Sequence, residues 1–102
     1  MLFTNINKEI VKYQNTPGAV LVDVREPDEY ISGHIPGAIN IPLGEIEGTD
    51  IPKDTPLYIY CLMGSRSARA AQALADLGYK NVKSIGGIVR YKGEKETGQA
   101  ED

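Results

Sequence analysis

Two spacings of apolar residues alternate along the chain, one of helical period and one of short continuous runs. Ile6, Ile10 and Tyr13 fall on one helical face behind Asn5, a residue suited to N-capping, with Lys8 and Glu9 in the first turns. Pro17-Gly18 ends that segment. Ala19 to Val24 is then apolar throughout except for Asp23, the pattern of a strand covered on both faces in a parallel sheet. Pro27 to Tyr30 predicts a short helical turn, Ser32 to Gly37 a turn, and Ala38 to Ile41 a short strand. Pro42 opens a second brief helix that ends near Gly48, and Ile51 to Pro56 is loop. Leu57 to Tyr60 is a second buried strand. Ser65 to about Leu77 is the clearest helix, with Ala68, Ala71, Leu74, Ala75 and Leu77 as its expected apolar face and Gly78 as its stop. Val82 to Ile85 predicts a further strand, after which Gly86-Gly87 turns the chain.

Strands alternating with helices predict an α/β fold with a mostly parallel central sheet and helices on both faces. The 102 residues suit one domain, expected over 1–92; residues 93–102 carry no large apolar side chain and are expected to be a frayed polar tail. No internal repeat is present. No helix is apolar on two faces, which favours a monomer.

Composition narrows the partners. The net charge of −3 argues against general nucleic-acid binding, which needs a basic face. The N-terminal residues, Met1-Leu-Phe-Thr-Asn, lack the basic region and long apolar run of a signal peptide, and no stretch approaches the ~20 apolar residues of a membrane span. Cys61 is the sole cysteine, so no internal disulfide can form, and a free thiol suits a reducing compartment; the expected location is the cytoplasm.

Cys61 stands where an apolar strand gives way to a helix. A thiol there faces the positive end of the helix dipole and backbone N–H groups that lack helical partners, both of which favour negative charge on sulfur. The spacing Cys61-x-x-Gly64-x-Arg66 adds to this. Gly64 lets the loop adopt φ > 0 and turn N–H groups inward into an anion-binding nest. Arg66 supplies a planar, permanent cation suited to sulfonate or phosphate oxygens, and Arg69 lies one turn on, where it would widen a positive mouth. The bland alternative is a buried, inert thiol at the end of a core strand.

Other polar residues carry competing readings. His34, the only histidine, sits in a Gly-x-x-Pro-Gly turn, which favours a ring bonded to backbone over a base paired with Cys61. Asp23 and Arg25 flank the end of the first strand. An ion pair bracing that edge is favoured over the alternative, in which Asp23 lines the pocket and tunes Cys61. Glu26, Asp28 and Glu29 form a solvated helix face, Tyr58 and Tyr60 belong to the core, and Arg90 either reaches the mouth or is simply exposed.

From Ala19 to Tyr91 the chain resembles the single-domain rhodaneses, a family of sulfurtransferases. Four pieces carry the resemblance, in the family's order. Leu21-Val-Asp23-Val-Arg25-Glu26-Pro-Asp-Glu29-Tyr30 is similar to its first strand and acidic turn. Gly33-His34-Ile35-Pro36-Gly37-Ala38-Ile39-Asn40-Ile41-Pro42 is similar to its turn-and-strand motif. Cys61-Leu-Met-Gly64-Ser-Arg66-Ser67 resembles its active-site loop, and Ile85-Gly86-Gly87 its closing double glycine. Each piece alone is moderately specific; all four in sequence are highly so. Tyr91 stands near a position where many members carry Trp.

The resemblance implies a ping-pong reaction through a Cys61 persulfide, with a small-molecule sulfur donor such as thiosulfate and cyanide, a thiol or a protein thiol as acceptor. It implies no metal or organic cofactor, no dependence on a histidine base, and a cradle of main-chain amides from Leu62, Met63, Gly64, Ser65, Arg66 and Ser67 around an exposed Cys61. Leu62 and Met63 stand where members that work well on thiosulfate often carry basic residues, which argues against thiosulfate as the natural donor. A phosphatase or arsenate reductase is the first alternative on this fold. Its phosphatase loop has five residues between Cys and Arg; the four here, Leu62 to Ser65, make a smaller ring. A docking or sulfur-carrier module is the second, although inactive members usually lack the cysteine.

Overall fold

The computed structural model describes residues 4–99. The sequence readings for residues 1–3 and 100–102 lie outside the described residues. The elements are α1 (Ile6–Gln14), β1 (Val20–Asp23), α2 (Pro27–Ser32), β2 (Ile39–Asn40), a 3-10 helix (Leu43–Gly48), β3 (Leu57–Cys61), α3 (Ser65–Asp76), β4 (Val82–Gly87) and a second 3-10 helix (Ile88–Arg90). Asn5 caps α1: its side-chain oxygen accepts the N–H groups of Asn7 and Lys8. Glu26 and Glu29 form a reciprocal capping box at the start of α2, where Pro27 occupies the first helical turn.

All four strands are parallel, in the order β2-β1-β3-β4. The chain leaves β1 toward one edge of the sheet and β3 toward the other. The carboxyl ends of β1 and β3 therefore flank the point where the winding reverses, the place where open α/β sheets bind ligands. Cys61 is the last residue of β3.

Alternation along the strands divides the core in two. Leu21 and Tyr60 pack with Ile6, Ile10, Tyr30, Ile35 and Ile88 beneath α1 and α2. Val22, Ile59 and Cys61 face the other way, with Ile46, Ala70 and Leu74 beneath the first 3-10 helix and α3. Helices thus cover both faces of the sheet, as the buried character of β1 and β3 predicts. Among the described residues, no helix is long and apolar enough to cross a membrane.

Three details differ from the sequence reading. The buried stripe of α3 is Ser67, Ala70 and Leu74, rather than the one centred on Ala68, Ala71 and Ala75. The helix is turned so that Ser67 meets the end of β3, which leaves Ala68, Ala75 and Leu77 exposed. Secondly, Gly86 and Gly87 do not follow the last strand but belong to it. Ile59 pairs with Ser84 and Cys61 with Gly87, so β4 carries one extra residue there, and Gly86 absorbs the resulting bulge at φ 104°.

Thirdly, the tail is docked as far as it is described. Glu96 pairs with His34 through two main-chain hydrogen bonds of 2.8 and 2.9 Å, and the Gly98 N–H donates to the Ile31 carbonyl at 2.8 Å. Polar composition gave no sign of this, because the attachment is made by backbone groups. Amide hydrogen exchange is expected to be slowed at least about tenfold at Glu96 and Gly98 relative to an unstructured chain. Exchange at the full random-coil rate at both positions would contradict the docked tail.

Candidate active site

The loop after β3 must climb off the sheet, turn, and enter α3 within three residues. Gly64 makes this possible: it sits at φ 117° as the residue capping α3, in the left-handed region that side chains disfavour. The turn aims main-chain donors at the thiol. Gly64 N–H donates to the Cys61 sulfur at 3.0 Å and Ser67 N–H at 3.3 Å. The N–H groups of Ser65 and Arg66, in the open first turn of α3, meet no backbone acceptor among the described residues. Of the six amides from Leu62 to Ser67, those of Gly64 and Ser67 bond the sulfur.

Ser67 anchors this arrangement from below. Its hydroxyl lies 2.9 Å from the Gly64 carbonyl, 2.8 Å from the Ser84 hydroxyl and 3.6 Å from the Cys61 sulfur. The Gly64 carbonyl can only accept, so Ser67 donates its one proton there and Ser84 donates to Ser67. The β4 bulge supplies the wall. A Cβ at Gly87 would fall on the Leu62 carbonyl and within 2.6 Å of Met63 Cα, so only glycine lets the loop lie this close to the sheet. Val89 N–H then donates to the Leu62 carbonyl at 3.2 Å, tying the loop to the second 3-10 helix.

Cys61 is only 1% exposed, contrary to the accessible thiol expected from sequence. Its side chain points to the α3 face and is roofed by its own loop, whose tip, Met63, is 73% exposed. Leu62 and Val89 are also exposed and give the mouth an apolar rim.

Two ion pairs flank the loop. Arg66 is not a free cation over the loop. It clasps Glu29 of α2 in a bidentate pair, with Nη1 to Oε1 at 2.8 Å and Nη2 to Oε2 at 3.0 Å. The Arg66 hydrogen bonds, together with the Glu26 N–H, hold the Glu29 carboxyl down at about 2. Arg66 itself is held above its ordinary value by the Glu29 hydrogen bonds and charge, and by the Cys61 and Asp23 charges. The expectation that Glu29 lies on a solvated face is thus corrected. Glu26 and Glu29 serve the capping box, and Glu29 reaches across to α3.

Asp23 and Arg25 form the second pair, fully within the structure. Arg25 Nε and Nη2 donate to the two Asp23 oxygens at 3.0 and 2.7 Å, and Nη2 also donates to the Gly33 carbonyl at 2.7 Å. Burial opposes the Arg25 charge, but the Asp23 hydrogen bonds and charge outweigh it and raise the guanidinium above its usual value. Burial, with Asp23 nearby, pushes the Tyr60 hydroxyl far above the phenol range. That hydroxyl accepts the Ile35 N–H at 3.0 Å, which joins β3 to the turn after α2. This is the bracing arrangement, with Asp23 aimed at Arg25 rather than at the sulfur.

His34 is stacked on Tyr30 with ring centroids 3.8 Å apart, and its Nδ1–H donates to the Tyr30 carbonyl at 2.8 Å. It fixes the turn and does not pair with Cys61. Arg69 does not widen the mouth. It lines a separate groove with Leu43, Glu47 and Ala73, on the flank where α3 packs on the first 3-10 helix. Arg90 is exposed, and its carbonyl accepts from Asn7 at the start of α1. A groove of about 490 Å³ along Leu57, Tyr58, Val82 and Lys83 opens at the opposite ends of β3 and β4 from Cys61. Among the described residues no cluster of His, Cys, Asp and Glu could hold a metal ion.

Ser84, Gly87 and Glu29 have roles at the site that the sequence pattern does not assign to them: Gly87 is read there only as part of a closing double glycine and Glu29 as part of a solvated face. Ser84 carried a signal, as a small polar residue inside a buried strand. Glu29 carried none, because its partner is 37 residues away.

A cysteine held by main-chain donors at the switch point of a parallel sheet, with a four-residue loop to Arg66, defines a class, and the comparisons agree. The chain belongs to the rhodanese-like domain family, which matches residues 7–94. It is 43% identical over 79 residues to YqhL of Bacillus subtilis, covering 74% of this chain and 63% of that protein. It is 35% identical over 108 residues to the thiosulfate sulfurtransferase GlpE of Pseudomonas entomophila, covering 97% of each. Among solved structures, a rhodanese with anions from E. coli superposes with a TM-score of 0.72 at 33% identity, covering 78% of this chain and 99% of that one. The chain spans less than two thirds of the length of YqhL.

Two outcomes follow from this geometry. Gly87→Ala is expected to displace the loop and to lower stability by about 1–3 kcal/mol. Wild-type stability in that variant would contradict the wall. The Glu29 carboxyl, lowered in the folded state, contributes stability that is in full force above its unfolded value near 4.5 and is lost as pH falls through about 2. NMR titration of Glu29 is expected to give about 2 in the wild type and a value close to an ordinary carboxylate in Arg66→Ala. An ordinary value in the wild type would contradict the bidentate pair.

Proposed function

We propose that the protein is a sulfurtransferase that carries sulfane sulfur on Cys61. The observation that carries this reading is the pair of main-chain N–H groups, from Gly64 and Ser67, aimed at the Cys61 sulfur. The Cys61 thiolate attacks the outer sulfur of a donor; the donor's S–S bond breaks as the Cys61 S–S bond forms. With thiosulfate, sulfite leaves with the bonding pair and an anionic persulfide remains. An acceptor thiolate or cyanide then attacks the outer sulfur, and the Cys61 thiolate departs. The electron pairs balance at each step without an external oxidant or reductant, so the reaction calls for no metal or organic cofactor.

Burial of Cys61 suits this chemistry. In the persulfide the outer sulfur lies about 2 Å beyond the inner one. It therefore extends toward the mouth and the amides of Ser65 and Arg66, while the inner sulfur stays covered. Donors pre-aimed at a developing negative charge in a shielded site are an effective form of catalysis. The apolar rim of Leu62, Met63 and Val89 suits an acceptor that brings an apolar surface, such as a protein thiol. A reducing compartment such as the cytoplasm would keep the single thiol free. The four-residue loop disfavours phosphoryl chemistry, since its ring is fitted to a sulfur atom rather than to a tetrahedral phosphate.

Intact-mass spectrometry after incubation with a sulfane donor is expected to show the gain of one sulfur atom, reversed by cyanide and absent in Cys61→Ala. Aryl phosphates are expected to show no Cys61-dependent turnover. A Cys61-dependent phosphatase with no sulfur adduct from any donor would sink the assignment.

A further inference from the structure

The Glu29–Arg66 pair spans the entrance to the site. Arg66 belongs to the first turn of α3, one residue from Ser67, whose N–H holds the sulfur. Glu29 approaches from α2, and the same carboxylate oxygen that meets Nη1 also accepts the Glu26 N–H at 3.0 Å. Glu29 is thus fixed from two sides and cannot swing away without breaking the capping box. It also lines a groove of about 290 Å³ with Arg25, Gly33, Leu62, Val89 and Lys95, immediately beside the loop. Arg25 is already neutralised by Asp23. Arg25 and Arg66 are therefore each matched by a carboxylate, with Lys95 as a third cation on the groove wall, and Glu29 takes the bidentate edge of the Arg66 guanidinium.

We infer that Glu29 is a specificity-determining residue that sets how much negative charge a sulfur donor can bring to Cys61. It occupies the bidentate edge of the Arg66 guanidinium and stations a carboxylate at the groove beside Lys95, so Glu29 itself opposes each extra negative charge on the donor. The donor class this favours is the monoanion over the dianion, for instance an alkanethiosulfonate over thiosulfate. The two are near-isosteres, with a methyl group in place of one charged oxygen. The chemistry is the same with either donor: the Cys61 thiolate takes the outer sulfur, and sulfinate or sulfite leaves with the bonding pair. This inference rests on the sulfurtransferase reading and names the donor class of that same site.

Steady-state kinetics with thiosulfate and with methanethiosulfonate, cyanide as acceptor, test it. Glu29→Gln keeps a side-chain acceptor for the capping box but removes the charge. It is expected to lower the thiosulfate KM about 5- to 10-fold, the effect of one unit charge at short range in a partly solvated site. The methanethiosulfonate KM should fall less, by about 3-fold at most, and kcat should stay within about twofold for both donors. Arg66→Ala leaves the carboxylate unopposed and should shift the thiosulfate-to-methanethiosulfonate ratio of kcat/KM the other way, by a similar factor. The double variant, neutral again, should return that ratio close to the wild-type value. A purely structural role for Glu29 would reduce kcat/KM for both donors equally in every variant, and that result overturns the inference. Sulfur transfer by the wild type from both donors, with a ratio that no variant moves, would also overturn it and leave the sulfurtransferase reading intact. Failure of the wild type to take sulfur from either donor would remove both.

Discussion

Two main-chain N–H groups converge on the sulfur of Cys61, at 3.0 Å from Gly64 and 3.3 Å from Ser67, and the architecture around them serves that convergence. Backbone donors can be aimed this way only if the chain turns sharply between a strand end and a helix start. That turn requires Gly64 in the left-handed region. It also requires a sheet surface without side chains underneath, which Gly87 provides, and an extra residue in β4 to bring Gly87 opposite Cys61, which the bulge at Gly86 provides. The hydroxyls of Ser67 and Ser84 then bind the helix start to β4.

The N–H groups that meet the sulfur consequently belong to the main chain, and no charged side chain bonds it. Asp23 cancels Arg25, and Glu29 cancels Arg66. The two pairs differ in what they contribute. Asp23 and Arg25 are almost wholly buried, and removing one partner of such a pair leaves an uncompensated charge at a cost of about 3–5 kcal/mol. Glu29 and Arg66 are partly solvated, where an ion pair contributes roughly 1 kcal/mol or less to stability. The first pair therefore braces the sheet edge beneath the site. The second adds little to the fold, and its consequence lies in the field it presents to an approaching anion.

Much of this was legible in the residue pattern. Continuous apolar runs at Ala19 to Val24 and Leu57 to Tyr60 marked strands buried on both faces, and the alternation of strand and helix marked a parallel α/β sheet. The Cys61-x-x-Gly64-x-Arg66 spacing marked the loop, because a glycine at a forced turn and a helix start directly after a strand are local features. What stayed hidden was relational. The rotation of α3 follows from Ser67 seeking the Cys61 sulfur and the Ser84 hydroxyl. The partnership of Arg66 with Glu29 joins helices far apart in sequence. The docking of Glu96 onto His34 uses backbone groups that every residue possesses. The covering of Cys61 arises from the loop lying close against Gly87, a distance that no spacing along the chain encodes.

On the proposed chemistry, the Gly64 and Ser67 amides hold the sulfur in the form that accepts and carries a second sulfur atom. A high-resolution crystal structure of the protein after reaction with a sulfane donor tests it most directly. Density is expected for one added sulfur on Cys61, with the inner sulfur still bonded by Gly64 and Ser67 N–H and the outer one facing the amides of Ser65 and Arg66. An adduct seen with the loop refolded and those amides turned to solvent would contradict it.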